Sequence, residues 1–370
     1  MSIALIINLL FILWNQNPEI WPGGSVPFRW YGLLFALGFF LGQIIITKIF
    51  KREGKPEKDV DALTYYMIIA TIIGARLGHC LFYQPDYYLA NPIEIFKVWE
   101  GGLASHGATI GIIFAMWLYA RNRPDQSWLW ILDRIVIVVA LGGAFIRFGN
   151  LMNSEIIGKP SDLPWSVVFA HQSVEAIQAV GNETIEAISV EKLPGDTTFG
   201  DQKMQPIQLH ISFKKDAMPG TSIQAFAFSA LPTAVARANE DEKNIEFRPE
   251  LAQIQTKVDN NGRTILSVRA FGVPRQPSMM YESISNLLLF FLLYFYWKQN
   301  IGKLPEGRLF SIFVIVLFSL RFLYEFTKEN QVDFEAGLPL NMGQLLSIPM
   351  VAFGIFIFAR SLKKKEGEAA

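Results

Sequence analysis

A single cysteine and four histidines are all that 370 residues supply. Cys80 lies inside an apolar run without a mate, so neither an internal disulfide nor a multi-cysteine metal site can be built, and it reads as a packing residue rather than a nucleophile. Charge of one sign is missing too, because Lys+Arg 33 and Asp+Glu 33 cancel to a formal net charge of zero. With no basic stripe carrying interleaved aromatics, nucleic acid is excluded as a partner. No internal repeat is visible, which argues against a transporter built from paired inverted halves. Paired intramembrane aspartates, as an intramembrane protease needs, are missing as well. The position five residues after His106 is Gly111, so there is no H-x4-D acyltransferase motif.

What the chain does have is apolar surface. Hydrophobic residues make up 51%, aromatics 14% and charged residues only 18%, which favours membrane spans over an ordinary soluble domain. The mean hydropathy of +0.27 is modest for such a protein, as expected if the spans are diluted by one polar insertion.

Ile3 to Trp14 is too short to cross a hydrocarbon core, which takes about 20 residues. Lacking a basic leader and a small-residue cleavage site, it predicts an interfacial helix rather than a signal peptide. Seven spans are expected, at about 31–50, 63–82, 103–120, 129–148, 281–297, 309–326 and 342–360. Lys48, Lys51, Arg52, Lys55 and Lys58 follow the first span, Arg121 and Arg123 the third, Lys298, Lys303 and Arg308 the fifth, and Arg360 with Lys363 to Lys365 the last. The intervening loops, with Asp86, Glu94 and Glu100 or with Asp333 and Glu335, are poor in positive charge. The positive-inside rule then puts the N-terminus outside and the C-terminus in the cytoplasm. Inner halves of the spans look nearly free of polar residues.

Between Pro164 and Pro274 the pattern changes to alternating segments such as IQLHISF and TILSVRAF, set between Gly, Pro, Asn and Asp clusters. Period-two alternation with such breakers predicts a β-rich domain, on the outer side. The expected organisation is residues 1–163 for the interfacial helix and four spans, 164–274 for the β-rich periplasmic insertion, and 275–370 for three spans and a tail. Asn182-Glu183-Thr184 fits a glycosylation sequon but reads as a surface turn.

Arg147, Asn150, Asn153 and Glu155 follow directly on the fourth apolar run. A charge at the centre of a membrane helix costs roughly 2.5 to 3.5 kcal/mol on insertion scales, so such a cluster wants partners or a wet cavity. The topology places other costly groups in the same layer: His106 at the start of the third span, Tyr281 and Glu282 at the start of the fifth, Arg321 and Glu325 near the end of the sixth, and Arg76 with His79 in the second. Small residues around His106, in GGLASHGATIG, permit close approach of a ligand or another backbone. Arg321 and Glu325, four apart, also fit an intrahelical ion pair. Arg76 fits a residue snorkelling outward, His79 fits hydrogen-bonded packing, and Tyr31 in RWYG fits an interfacial aromatic.

The run Arg147, Gly149, Asn150, Asn153, Glu155, Gly158 resembles the signature of the bacterial prolipoprotein diacylglyceryl transferase family. RWYG, GARLG, EGGLASHG, PWSVVF, QPSMMYE, RFLYEF and MGQLLSIPM look like further blocks of that family, in matching order. The sequence departs from the family pattern at Ile146, Gln276, Ala108, Lys328 and Leu317, and its insertion is longer. The resemblance implies an all-α polytopic enzyme of the bacterial inner membrane, with seven transmembrane helices and an active site toward the periplasmic leaflet. It would move the diacylglyceryl group of phosphatidylglycerol to the lipobox cysteine of a prolipoprotein and release glycerol phosphate, with no cofactor or metal. Carried onto this chain, His106, Arg147 and Arg321 are the catalytic candidates, His106 as base or as phosphate ligand. Tyr31, Arg76, Gly102, Asn150, Asn153, Glu155, Gly158, Tyr281, Glu282 and Glu325 are the candidates for binding substrate. The leading reading from another class is a transporter holding an anionic head group without cutting it.

Overall fold

The structure is a computed structural model, which describes residues 12–22, 28–98, 101–215, 217, 220–240, 243–329 and 339–367. In chain order the helices are α1 (Trp30–Arg52), α2 (Lys58–Phe82), α3 (Pro85–Ala90), α4 (Ser105–Arg121), α5 (Trp128–Met152), α6 (His171–Gly181), α7 (Gly220–Ala225), α8 (Leu231–Ala238), α9 (Ser278–Gln299), α10 (Arg308–Tyr324) and α11 (Met342–Gly367). Among the described residues, six helical segments, beginning at Trp30, Lys58, Trp128, Ser278, Arg308 and Met342, are long and apolar enough to cross a membrane. α4, where a seventh span is expected, has 17 residues. That is about 25 Å at 1.5 Å per residue, short of an unaided crossing.

The chain divides into two compact units, one of residues 34–146, 282–323 and 339–370, the other of residues 1–33, 147–281 and 324–338. The first is an all-helical bundle. α1 approaches α5 through small residues: a Cβ on Gly38 would meet Gly142 and one on Gly42 would meet Val138. α2 and α4 cross more closely still. A Cβ on Gly107 would strike the Gly74 carbonyl and lie 2.6 Å from Gly78 Cα, and one on Gly111 would lie 2.7 Å from the Ala70 carbonyl. Stripes of small residues that bring backbones together are how helices associate where no hydrophobic effect drives them. Ile46, Ile49, Phe50, Met116, Ile131, Leu293 and Trp297 are among the buried side chains of the common core.

One end of this bundle corrects the expectation of apolar inner halves. Arg134, 3% exposed, donates to both carboxylate oxygens of Glu53, at 2.7 Å for the shortest contact, and Trp297 Nε1 donates to Glu53 at 2.5 Å. Asp133, fully buried, accepts the backbone N–H groups of Gly307 at 2.7 Å and Phe310 at 2.8 Å, capping the start of α10. These polar groups are tolerated because each has its partner.

The second unit holds the insertion. β1 (Ile12–Trp14) pairs in parallel with β2 (Val167–Phe169), so the described end of the stretch expected to be an interfacial helix is a strand; its earlier residues lie outside the described ones. β3 (Ile185–Lys192), β4 (Thr197–Phe199), β5 (Gln202–Phe213), β6 (Ile245–Glu246), β7 (Gln255–Val258) and β8 (Thr264–Gly272) form one antiparallel sheet. Its path is β3-β5-β8-β6, with β4 beside β5 and β7 beside β8. Alternate residues Ile207, Leu209, Ile211, Leu266, Val268 and Ala270 are fully buried, as the two-residue period of a strand requires. They pack against Ile177 of α6 and against Leu231, Ala234 and Val235 of α8. The insertion is therefore a sheet covered by helices rather than β structure alone, and the helical pattern of its apolar residues is what an alternation-based reading passes over.

Candidate functional site

In the unit that holds the insertion, the end of α5 delivers Arg147 and Asn150, and the turn after it delivers Asn153 and Glu155. Both asparagines grip one carboxylate: Asn150 Nδ2 donates to Glu155 Oε2 at 3.0 Å and Asn153 Nδ2 to Glu155 Oε1 at 3.2 Å. Their own side-chain carbonyls are buried and have no hydrogen-bond partner. Ser154 and Ile156, on either side of Glu155, take φ of 54° and 56°, left-handed backbone that non-glycine residues rarely adopt. Such conformations persist where the surroundings over-determine them, as binding sites do.

Tyr31 stands in the field of both Glu155 and Arg147, and its ring explains Gly149, where a Cβ would lie 2.8 Å from Tyr31 Cδ2. Tyr31, Arg147, Asn150, Asn153 and Glu155 are thus one cluster. Gly158 serves a different purpose. A Cβ there would be 2.6 Å from the Gln276 carbonyl and 2.7 Å from that of Thr327, so the residue lets three segments meet. Gly158 bridges to Lys328 and Lys159 N donates to Thr327 O at 2.8 Å, which ties the signature to the segment that follows α10. Glu325 lies on that segment, 7% exposed, paired with Lys328 at 3.1 Å.

Three residues outside the candidates named from the sequence join this unit's site. Lys328, 5% exposed, is the basic residue three places after Glu325, where the family pattern has arginine. Arg275, 2% exposed, donates to the Gly158 carbonyl at 3.2 Å and to Glu329 at 2.6 Å. Trp165 Nε1 donates to Tyr281 Oη at 2.7 Å, leaving the phenolic proton free to be given elsewhere. The PWSVVF block was the one sequence signal for Trp165; Arg275 left none.

The helical unit carries His106, Arg76, Gly102, Glu282 and Arg321. His106 is exposed at the start of α4 and makes ring contacts with Phe82 at 5.1 Å and Tyr83 at 5.8 Å. The small residues beside it receive another backbone, that of α2. Arg76 does not snorkel outward. It is 3% exposed and donates to three carbonyls, of Glu94 at 2.5 Å, Gly101 at 2.6 Å and Ile95 at 2.9 Å, with the Tyr88 ring 5.1 Å from its guanidinium carbon. It therefore fixes the loop before α4. Gly102 completes that loop with φ of +66°, where a Cβ would lie 2.6 Å from His79 and 2.9 Å from Arg76. His79 itself stacks on Tyr83, at 5.5 Å between ring centres. Glu282 is buried in the second turn of α9, where Asn286 Nδ2 donates to its backbone carbonyl at 2.8 Å. Arg321 is exposed near the end of α10. Among the described residues no group of three or more His, Cys, Asp or Glu could hold a metal ion.

A cluster of arginine, tyrosine, amides and carboxylates suits an anionic, hydroxyl-bearing head group. A family model described as prolipoprotein diacylglyceryl transferase matches residues 18–360. Similar chains include phosphatidylglycerol–prolipoprotein diacylglyceryl transferases of Chloroherpeton thalassium, 36% identical over 97% of both chains, and of Tolumonas auensis, 33% identical over 96% of this chain and 99% of the other. One from Porphyromonas gingivalis is 34% identical over 95% of both. Matches of this extent run through the insertion, so its length is shared with these relatives.

Proposed function

The chain belongs to the prolipoprotein diacylglyceryl transferase family, and on that footing we propose that it moves the diacylglyceryl group of phosphatidylglycerol onto the lipobox cysteine thiol of a prolipoprotein. The substrate's sulfur bonds to the terminal glycerol carbon of the lipid, the bond from that carbon to the phosphate oxygen breaks, and glycerol phosphate departs. The thiol proton goes to a base or to the departing phosphate. Atoms balance without an oxidant, reductant or cofactor.

Arg147 and Arg321 meet the charge that grows on the phosphate, since a guanidinium is always protonated and its fork matches two phosphate oxygens. His106 acts either as the base that takes the thiol proton or as a hydrogen-bonding ligand of the phosphate. A thiol of ordinary pKa near 8.5 is mostly protonated at neutral pH, so help in forming thiolate matters. The observation that carries the reading is the clasp of Asn150 and Asn153 on Glu155. It fixes both amides and leaves their carbonyl oxygens to accept the head-group hydroxyls, which is how a glycerol head group would be told from one without hydroxyls. Tyr31, Tyr281, Glu282 and Glu325 orient the lipid and the arginines, while Arg76, Gly102 and Gly158 act by shaping the loops around it.

In the membrane, α4 supplies the seventh crossing with the short loop before it. The N-terminus and the insertion lie in the periplasm, the C-terminus in the cytoplasm, and the reaction runs at the outer leaflet, where lipid enters sideways. The charge asymmetry of the short loops supports this orientation. The test supplies labelled phosphatidylglycerol and a lipobox peptide to the purified protein. Transfer adds the diacylglyceryl mass to the peptide cysteine; a lipid recovered intact, as transport requires, refutes the reading.

A further inference from the structure

On the polar face of the outer sheet, Arg269 of β8 has no ion-pair partner among the described residues. Its Nε is buried and has no hydrogen-bond partner, and its described contact is with the Phe271 ring, 5.6 Å from the guanidinium carbon. Leaving a buried charged donor unsatisfied is costly, and such a group calls for an explanation. Arg269 lines a cavity of about 320 Å³ with Thr197, Phe271, Glu250, Leu251 and Gln253.

The topology explains why the cavity is there. β6 pairs with Phe271 and Gly272, and β7 with Thr264 to Ser267. Between them the chain leaves the sheet through the short turn Pro249–Leu251, so Val268, Arg269 and Ala270 have no strand partner on that side. An interrupted strand edge offers backbone groups to an extended segment. Leu251 and Phe271 offer apolar walls to its side-chain methylenes, and Arg269 offers a fork to a carboxylate. Glu250, exposed on the rim, disfavours a phosphate dianion more than a single carboxylate.

We propose that this cavity binds a carboxylate of an extended polypeptide and that, resting on the transferase reading, the polypeptide is the part of the prolipoprotein that follows the lipidated cysteine. The insertion then has a role of its own: it selects substrates by the acidity of their mature segment.

The experiment uses the full chain in detergent with lipobox peptides that differ in carrying glutamates or glutamines after the cysteine. Wild-type protein has a KM about tenfold lower for the acidic peptide, the gain of one charge-assisted hydrogen-bond pair, with kcat unchanged. Arg269→Gln removes that preference and leaves turnover of the glutamine peptide as it was, and Arg269→Lys restores part of it. Equal KM values in the wild type, a preference that survives Arg269→Gln, or an equal loss on both peptides, which marks a structural role, overturns the proposal. If the wild type lipidates neither peptide, the transferase reading fails. Anisotropy of the labelled peptides then decides this proposal by itself, which stands only if the acidic one binds more tightly.

Discussion

Asn150 and Glu155 are held 3.0 Å apart across the turn that ends α5, and the carboxylate oxygen that Asn150 does not reach is taken by Asn153. Replacing Glu155 with Gln removes the charge and one acceptor, freeing the amides to rotate. Transfer is expected to fall at least about tenfold in kcat/KM, the effect of about 1.4 kcal/mol in positioning, with little change in thermal stability because Glu155 is exposed. Initial rates with the lipobox peptide check it, and a full rate removes the clasp from the mechanism.

The crossing of α2 over α4 makes Gly107→Ala a sharp test of packing. The added methyl meets backbone atoms of Gly74 and Gly78, which cannot swing aside as a side chain would. Overpacking of this kind costs about 1–3 kcal/mol. Unfolding in detergent should show a lower midpoint, whereas an unchanged midpoint would mean that the helices cross less tightly.

Arg134 and Glu53 form a buried pair with side chains 3% and 7% exposed. Arg134→Met strands the carboxylate with Trp297 and is expected to cost about 3–5 kcal/mol, while removing both charges together costs less. A double-mutant cycle of unfolding free energies reads the difference. Additive losses would deny the coupling.

In the unit that holds the insertion, burial holds the His171 imidazole below its ordinary pKa, with Glu175 pulling the other way. Its folded value lies below the unfolded one, so the unfolded chain binds the proton first as pH falls. Stability tied to His171 is complete above the unfolded value of about 6.5 and is lost as pH drops below it. The protection factors of the α6 amides, exchange rates corrected for intrinsic pH dependence, should fall from pH 7.5 to pH 5.5, and His171→Gln should flatten that fall. No difference between wild type and variant contradicts it.

The signature was legible because polar residues at the end of an apolar run are conspicuous: Arg147, Asn150, Asn153 and Glu155 gather with Tyr31 as a local sequence segment and one aromatic. Six of the expected spans were legible for the same reason, as long apolar runs between charged loops. What escaped depends on partners distant in the chain. Nothing near Ile12 announces that it pairs with Val167. Arg76 looks like any arginine in an apolar helix, and only the fold supplies the carbonyls of Glu94, Ile95 and Gly101 that it holds. Glu53, Asp133 and Arg134 drew no notice in the sequence, because the groups that pair with them, Trp297, Gly307 and Phe310, lie far along the chain. Arg275 and Lys328 were passed over, one because it belongs to no motif and the other because it replaces an expected arginine.

In the proposed reaction Arg147 meets the phosphate as its bond to carbon breaks. Single-turnover release of glycerol phosphate from labelled phosphatidylglycerol, with saturating lipid and lipobox peptide, measures that step. Wild-type protein is expected to release one glycerol phosphate for each cysteine modified, and Arg147→Ala to release none at any lipid concentration; release at the wild-type rate by Arg147→Ala would contradict the account.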